Sequence, residues 1–226
     1  MGKVVGKSRR LTLETVQATI AFDQPKLQAE RSGTDILISG TYLLYEADGV
    51  ARPGGPITTF DVSIVLSSCF PREEPKVFEV GGRIPRIADR HVNPAGDCCI
   101  TIWEHWLASA EDLSFAAFMT GPIHEFFIAQ YVYEQTARWP FGERAHGAVG
   151  LVEAYAELLG IQPDKTTVVA YLRLLTSDWP KGHCSCPCGS NKRLRHCHRD
   201  ELMALHRRIR PSLAQRMVQR MKANVR

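Results

Sequence analysis

Two short stretches hold the residue types that can do chemistry. The first is RHVNPAGDCCIT, residues 90 to 101, with adjacent thiols at Cys98 and Cys99 and an asparagine, Asn93, six residues before the second. A thiolate near neutral pH is a nucleophile, a metal ligand or a disulfide partner, and a thiol is also a small apolar filler. The second is CPCGSNKRLRHCH, Cys186 to His198, which reads Cys-x-Cys, eight residues, then Cys-His. Three thiolates and one imidazole make a closed tetrahedral zinc site, of a kind too small to fold without its metal. A full ligand shell leaves no open position, so the zinc expected here is structural.

Alternation separates the two adjacent thiols. Gly96 allows a tight turn, and in extended chain after it Asp97, Cys99 and Thr101 fall on one side while Cys98, Ile100 and Ile102 fall on the other. The apolar set faces a core, so Cys98 is the buried hydrophobe and Cys99 the accessible thiol. Neighbouring side chains in extended chain point apart, which argues against both as ligands of one metal.

The surrounding elements read as an α+β order. LETVQATIAFDQPKL carries Leu13, Val16 and Ile20 at helical spacing. TDILISGTYLLYEAD and ITTFDVSIVLSSCFP alternate as strands on either side of the turn-rich DGVARPGGP, and Val77 to Val80 form a third short strand. From Leu113 the pattern turns helical: a helix, a break at Gly121-Pro122, a second helix, a third stopped by Gly160, and a fourth between Pro163 and Pro180. PKGHCSCPCGSNK is loop, and two basic helices separated by Pro211 end the chain.

The chain of 226 residues is 44% hydrophobic, enough for one domain and an appendage. It has no apolar run long enough for a membrane span and no secretory signal at its start. The cysteines crowd rather than spread as a disulfide framework does, which points to a reducing compartment, the cytoplasm. Residues 191 to 226 hold 11 Lys/Arg against 2 Asp/Glu, so the tail is strongly basic while the whole chain is only +4. Such a tail is either a solvated helix face or the contact for a polyanion such as nucleic acid or for an acidic partner.

In order along the chain, FPREEPKVF (Phe70 to Phe78), HVN (His91 to Asn93) and GDCC (Gly96 to Cys99) resemble the proline segment, the His-Pro-Asn tripeptide and the Gly-x-x-Cys of ubiquitin-conjugating enzymes. The resemblance covers roughly residues 10 to 160. It implies an antiparallel meander with flanking helices, Cys99 as the cysteine that carries a ubiquitin-like modifier as a thioester, Asn93 as the oxyanion-stabilising amide, and His91 as a structural histidine beside the site, with a catalytic role the lesser alternative. Val92 stands where the family has proline, and WEHWLASAED does not reproduce the family's segment after the cysteine. Asp97, Glu104, His105 and Asp112 are polar groups able to orient or deprotonate an incoming amine, and His146 lies in a Gly-flanked loop. FFIAQYVYEQTARWPFGERAHG resembles the bacterial branch, which implies a partner activating-enzyme-like protein, a ubiquitin-like modifier and a JAB-type peptidase in an antiphage system.

The tail resembles the SEC-C motif, which implies Cys186, Cys188, Cys197 and His198 as the zinc ligands and docking on a protein or ribosome surface. His196 is the alternative to His198, and Cys184 is spare. The expected organisation is a conjugating-like catalytic domain over residues 1–160, a connecting helix over 161–180, and a zinc module with a basic helical tail over 181–226. The rival expectations are a catalytically inactive adaptor acting through its zinc tail and a thiol protease. The second usually places its cysteine at a helix start, which Cys99 does not occupy.

Overall fold

The computed structural model describes residues 11–46, 54–142, 145 and 147–223. His146 lies outside the described residues. The chain divides into two compact units, one of Met1–Thr101 with Asp112–Gly142 and one of Ile102–Glu111 with Glu143–Arg226.

In the first unit, helix α1 (Leu13–Asp23) starts where the Thr12 hydroxyl accepts from the Thr15 amide. Val16 and Ile20, one turn apart, are its buried face. Beyond its end the buried Gln24 clamps the next strand pair: its side-chain amide donates to the Leu43 carbonyl (2.9 Å) and accepts from the Leu43 amide (2.7 Å). Strands β1 (Leu27–Ser32), β2 (Asp35–Leu44), β3 (Thr58–Ser67) and β4 (Lys76–Glu79) pair antiparallel in sequence order. This is the expected meander with one strand more than expected. β1 is the addition. Its sequence LQAERS buries only Leu27, so it shows no alternation, and its extended form comes from pairing with β2.

Alternation does govern β3, where Phe60, Val62, Ile64 and Leu66 are all buried. Helices α3 (Phe115–Phe118) and α4 (His124–Thr136) supply the partners. Phe127 stacks against Tyr42 and Phe60 with centroids 5.0 and 4.7 Å away, and Phe70 meets Phe115 edge-on. The break expected at Gly121-Pro122 is not a break. Met119–Ile123 forms a π-helical turn that joins α3 to α4. The wider turn accommodates a proline that has no N–H to give and would crowd the carbonyl of the preceding turn.

The second unit contains α2 (Trp103–Ser109), α5 (Gly147–Leu159), α6 (Lys165–Leu175), α7 (Arg199–Arg208) and α8 (Pro211–Ala223). α2 is a short helix that no periodicity announces. Pro211, expected as a separator between helices, is the first residue of α8, where its missing N–H costs nothing. α5 and α6 share one apolar core with the tail: Leu151, Tyr155, Leu172 and Leu175 belong to the same buried cluster as Cys186, Leu194, Leu202 and Met217.

One ionic cluster sits in this core. Buried Glu104 on α2 accepts from Arg216 Nε (3.0 Å) and Arg220 (2.6 Å) on α8 and from the Tyr155 hydroxyl (3.0 Å) on α5. Two of the basic residues of the tail are therefore spent inside the unit. The carboxylate is buried, while the arginines reach the surface, so the two halves of the cluster are not equivalent. Replacing both Arg216 and Arg220 by methionine strands a buried charge and is expected to cost about 3 kcal/mol or more. Glu104→Gln leaves two cations that water can reach and is expected to cost about 1 kcal/mol. Urea unfolding of the full chain, followed by circular dichroism, measures both; equal losses would mean that the burial of Glu104 does not set the cost.

Candidate functional site

In the first unit, the segment from Arg83 to Cys99 is fixed from beneath by side chains of α4. Buried Arg90 donates from Nε to the Gln130 side-chain oxygen (2.9 Å), and Gln130 returns a bond to the Arg90 carbonyl (2.9 Å). The Arg90 guanidinium lies over the Tyr133 ring at 4.7 Å. Arg83 pairs with Glu134 (2.6 Å), covers the Phe60 ring at 4.2 Å and donates to the Thr59 carbonyl. Buried Glu79 takes the Gly81 and Ile84 amides. Sequence reasoning singles out none of these anchoring residues. The Arg90–Gln130 and Arg83–Glu134 pairs span 40 and 51 positions, and such pairs leave no local pattern.

On this base the chain makes a left-handed kink at His91 (φ 51°, ψ 39°). The His91 carbonyl accepts from the Cys99 amide (2.7 Å), and its ring packs edge-on against Trp139 at 5.0 Å. Buried Val92 bridges Cys98, and its amide donates to the Ile87 carbonyl (3.3 Å), a bond that a proline at this position could not make. From Asn93 the chain turns back. The Asn93 amide donates to the Asp97 carbonyl (2.9 Å) and the Gly96 amide to the Asn93 carbonyl (2.8 Å). Gly96 has φ of 93°, a conformation that residues with a Cβ rarely adopt, and a Cβ there would meet the Arg86 guanidinium at 3.3 Å.

The two thiols separate as alternation predicts. Cys98 is buried, its amide bonded to the Val77 carbonyl, and burial pushes its thiol up to about 12. Cys99 is exposed, and its thiol donates to the Asn93 side-chain oxygen at 3.3 Å. The Asn93 side-chain nitrogen donates to the Asp97 carboxylate at 2.8 Å. A carboxylate can only accept, so it fixes which end of the amide faces which neighbour: nitrogen toward Asp97, oxygen toward the sulfur. The structure thus brings Cys99, Asn93 and Asp97 together around one turn, with His91 joined to them through its backbone. Asp112 instead binds the amide and hydroxyl of Ser114 at the start of α3. Glu104 is consumed by its ion pairs, and His105 lies 3.9 Å from Glu157 within the second unit.

In the second unit, Cys186, Cys188, Cys197 and His198 form a cluster whose four ligand atoms all lie within 4.8 Å of one another. Cys188 and Cys197 sulfurs are 3.5 Å apart, and His198 Nδ1 is 3.3 Å from Cys186 and 3.1 Å from Cys197. Sulfurs on a tetrahedral zinc stand about 3.8 Å apart, so the donor set needs little adjustment to hold one. Its softness, three sulfurs and an imidazole, also suits zinc. The loop is shaped by Gly189 (φ 80°) and Asn191 (φ 56°) and by the bond from the Cys186 amide to the Lys192 carbonyl. Ser190 donors hold the Cys188 thiol down at about 6, toward the thiolate form a metal requires. His196 turns away and accepts from Arg195, and Cys184 does not join the cluster. A residue outside the motif completes the surroundings: buried Tyr171 of α6 places its hydroxyl 3.8 Å from the Cys186 sulfur and its ring edge-on to His198 at 6.2 Å.

No protein-family model, curated protein or solved structure matches the chain. What the fold and the site define is an α+β protein with an antiparallel four-stranded meander, flanking helices and a C-terminal Cys/His cluster that can bind a metal. Among the described residues, no helix is long and apolar enough to cross a membrane.

One equivalent of zinc is expected per chain, lost on acidification or to a strong chelator because the thiolates must shed protons to bind. Cys186→Ser with Cys188→Ser should abolish it. Tyr171→Phe, which removes only an outer hydroxyl, should weaken binding by about tenfold in a chelator competition. Undiminished metal in the double variant would show the ligand set to be wrong.

Proposed function

We propose that the protein is a ubiquitin-conjugating-like enzyme of a bacterial antiphage conjugation system. Cys99 accepts a ubiquitin-like modifier from an activating-enzyme-like partner and passes it to an amine. The observation that carries this reading is the exposed Cys99 thiol held at 3.3 Å from the Asn93 side-chain amide, one residue beyond a buried cysteine, on a turn of extended chain. In loading, the Cys99 thiol gives up its proton to solvent and its sulfur attacks the activated carbonyl; a new S–C bond forms, the donor's bond to that carbon breaks, and the donor leaves with the electron pair. In discharge, an amine nitrogen attacks the same carbon. The C–N bond forms, the C–S bond breaks, the amine loses a proton to solvent and Cys99 leaves as the thiolate. Between attack and departure the carbonyl oxygen is the oxyanion of a tetrahedral intermediate. Asn93 is the donor for it once its amide turns over, since its oxygen faces the thiol at rest. His91 serves through its backbone.

A second reading, a non-catalytic modifier-binding adaptor, draws on exposed Lys192, Arg193, Arg195, Arg207 and Arg210 around the metal cluster and its following helix. Those cations suit an acidic partner or nucleic acid. The two readings diverge at Cys99, which an adaptor does not need.

Incubation with activating enzyme, ATP and modifier should give a band lost on reduction. Cys98→Ser should keep it, and Cys99→Ser should replace it with a reductant-resistant ester or with nothing. Loss in Cys98→Ser and retention in Cys99→Ser would reverse the assignment. Asn93→Ala should load normally yet discharge to free lysine about 100-fold more slowly, the size of one lost oxyanion donor. Discharge at the unaltered rate would remove Asn93 from the chemistry.

A further inference from the structure

We infer that Asp97 is a positioning residue that latches the Asn93 amide with its acceptor end toward Cys99 and releases it when an amine arrives. The inference rests on the conjugating reading for its biological meaning, but its geometry stands apart from it. At rest both ends of the Asn93 amide have a partner: one N–H donates to the Asp97 carboxylate at 2.8 Å, and the oxygen accepts from the Cys99 thiol at 3.3 Å. A thiol has a proton for that oxygen. A thiolate or a developing oxyanion has none and meets lone pairs instead. The same side chain can serve them only after a half-turn that aims its nitrogen at the sulfur, and that turn sets its oxygen against the Asp97 carboxylate.

The carboxylate is therefore what makes the half-turn unfavourable, and a change of its partner is what permits it. An incoming ammonium is a charged donor and binds a carboxylate about twice as strongly as a neutral amide does. An amine drawn to Asp97 as its ammonium takes over the bond that Asn93 had made, and it loses a proton to solvent before its nitrogen attacks. The amide then loses its reason to stay, and its nitrogen becomes available at the moment the acceptor is in place. No bond is made or broken in this exchange except hydrogen bonds. The consequence is a thioester protected from water while no amine is present.

The backbone of the turn does not depend on the side chain of residue 97. It is closed by the Asn93 amide to the Asp97 carbonyl and the Gly96 amide to the Asn93 carbonyl. Asp97→Asn keeps the shape and supplies an N–H that can donate to the turned-over Asn93 oxygen. The test is alkylation of the full-length chain with iodoacetamide at neutral pH, with each cysteine quantified by mass spectrometry. It needs no modifier, so it can be read even if no thioester is ever found.

Asp97→Asn should alkylate at Cys99 roughly tenfold faster than the unaltered chain, the effect of one hydrogen bond to a charged group. Removal of a nearby negative charge would also speed alkylation, so the comparison is repeated in Asn93→Ala. There the substitution at 97 should give a clearly smaller acceleration, because only the charge effect remains once the amide is gone. Equal acceleration in both backgrounds, or none in either, would overturn the inference. The buried Cys98 is an internal gauge of folding. If it becomes reactive in Asp97→Asn, Asp97→Ser takes its place in the same comparison. Where thioester can be formed, Asp97→Asn should raise its hydrolysis in the absence of amine. Accelerated alkylation with no thioester from any activating system would leave the latch intact and remove the conjugating reading.

Discussion

The candidate active site depends on a buried guanidinium. Arg90 lies at the point where the chain leaves the 80s segment and enters the kink at His91, and it has almost no access to water. A charge so placed must find its partners within the fold. It finds them on α4, in the reciprocal pair with Gln130, the Tyr133 ring and, at 3.8 Å, the Glu134 carboxylate. The left-handed backbone at His91 follows directly on this anchor, and the His91 carbonyl then receives the Cys99 amide. The position of the thiol is thus inherited from a contact with a helix 40 residues away, and the turn that bears it has little freedom of its own.

Above that anchor, the turn between 91 and 99 is held in several different ways. Val92 and Cys98 are held by burial and by their bridge, Gly96 by a left-handed backbone that side chains rarely adopt, and Asn93 and Asp97 by each other. Of the two thiols only Cys99 is exposed, although both share the same local chain. The contrast is produced by the side on which each points. Cys98 hangs from the amide bond to Val77 of β4, which directs it inward and makes it costly to ionise.

What can be read from sequence tracks how local its cause is. The period of two in β3 and around Cys98 and Cys99, and the helical spacing in α1, are local and legible. So is the Cys-x-Cys and Cys-His spacing, because short ligand separations leave few ways to close a tetrahedron. β1 is hidden because an edge strand with one buried side chain has no alternation to show. The π turn reads as a break because proline excludes regular α-helix but not a wider turn. Arg83, Arg90, Gln130 and Glu134 are invisible for a different reason: each is an ordinary surface residue type until a partner from elsewhere in the chain engages it. Asp97 stands out only as a polar neighbour, since its hold on the Asn93 amide requires knowing which atoms face each other.

The metal cluster shows the same dependence on distant segments of the chain. Read as sequence, residues 186 to 198 are a self-contained knot with helices trailing from it. In the fold, Cys186 and Leu194 are buried in one cluster with α5, α6 and α8, and Tyr171 of α6 reaches both Cys186 and His198. The basic α8 does not trail: two of its arginines converge on Glu104 of α2, and Ala214, Met217, Val218 and Met221 are in the core. A metal ion held by the four ligands would therefore fix a loop that already rests on a hydrophobic helical unit. The free energy of binding it is shared with the packing of Leu194 and Cys186, so metal and core each make the other more favourable. The polar cluster at Glu104 secures α2 to α5 and α8 at one place in the unit, and the cysteines secure the loop to α6 at another. One apolar core serves both, taking in Ala108 of α2, Leu151 of α5, Leu172 of α6, Leu202 of α7, Met217 of α8 and Cys186 of the loop.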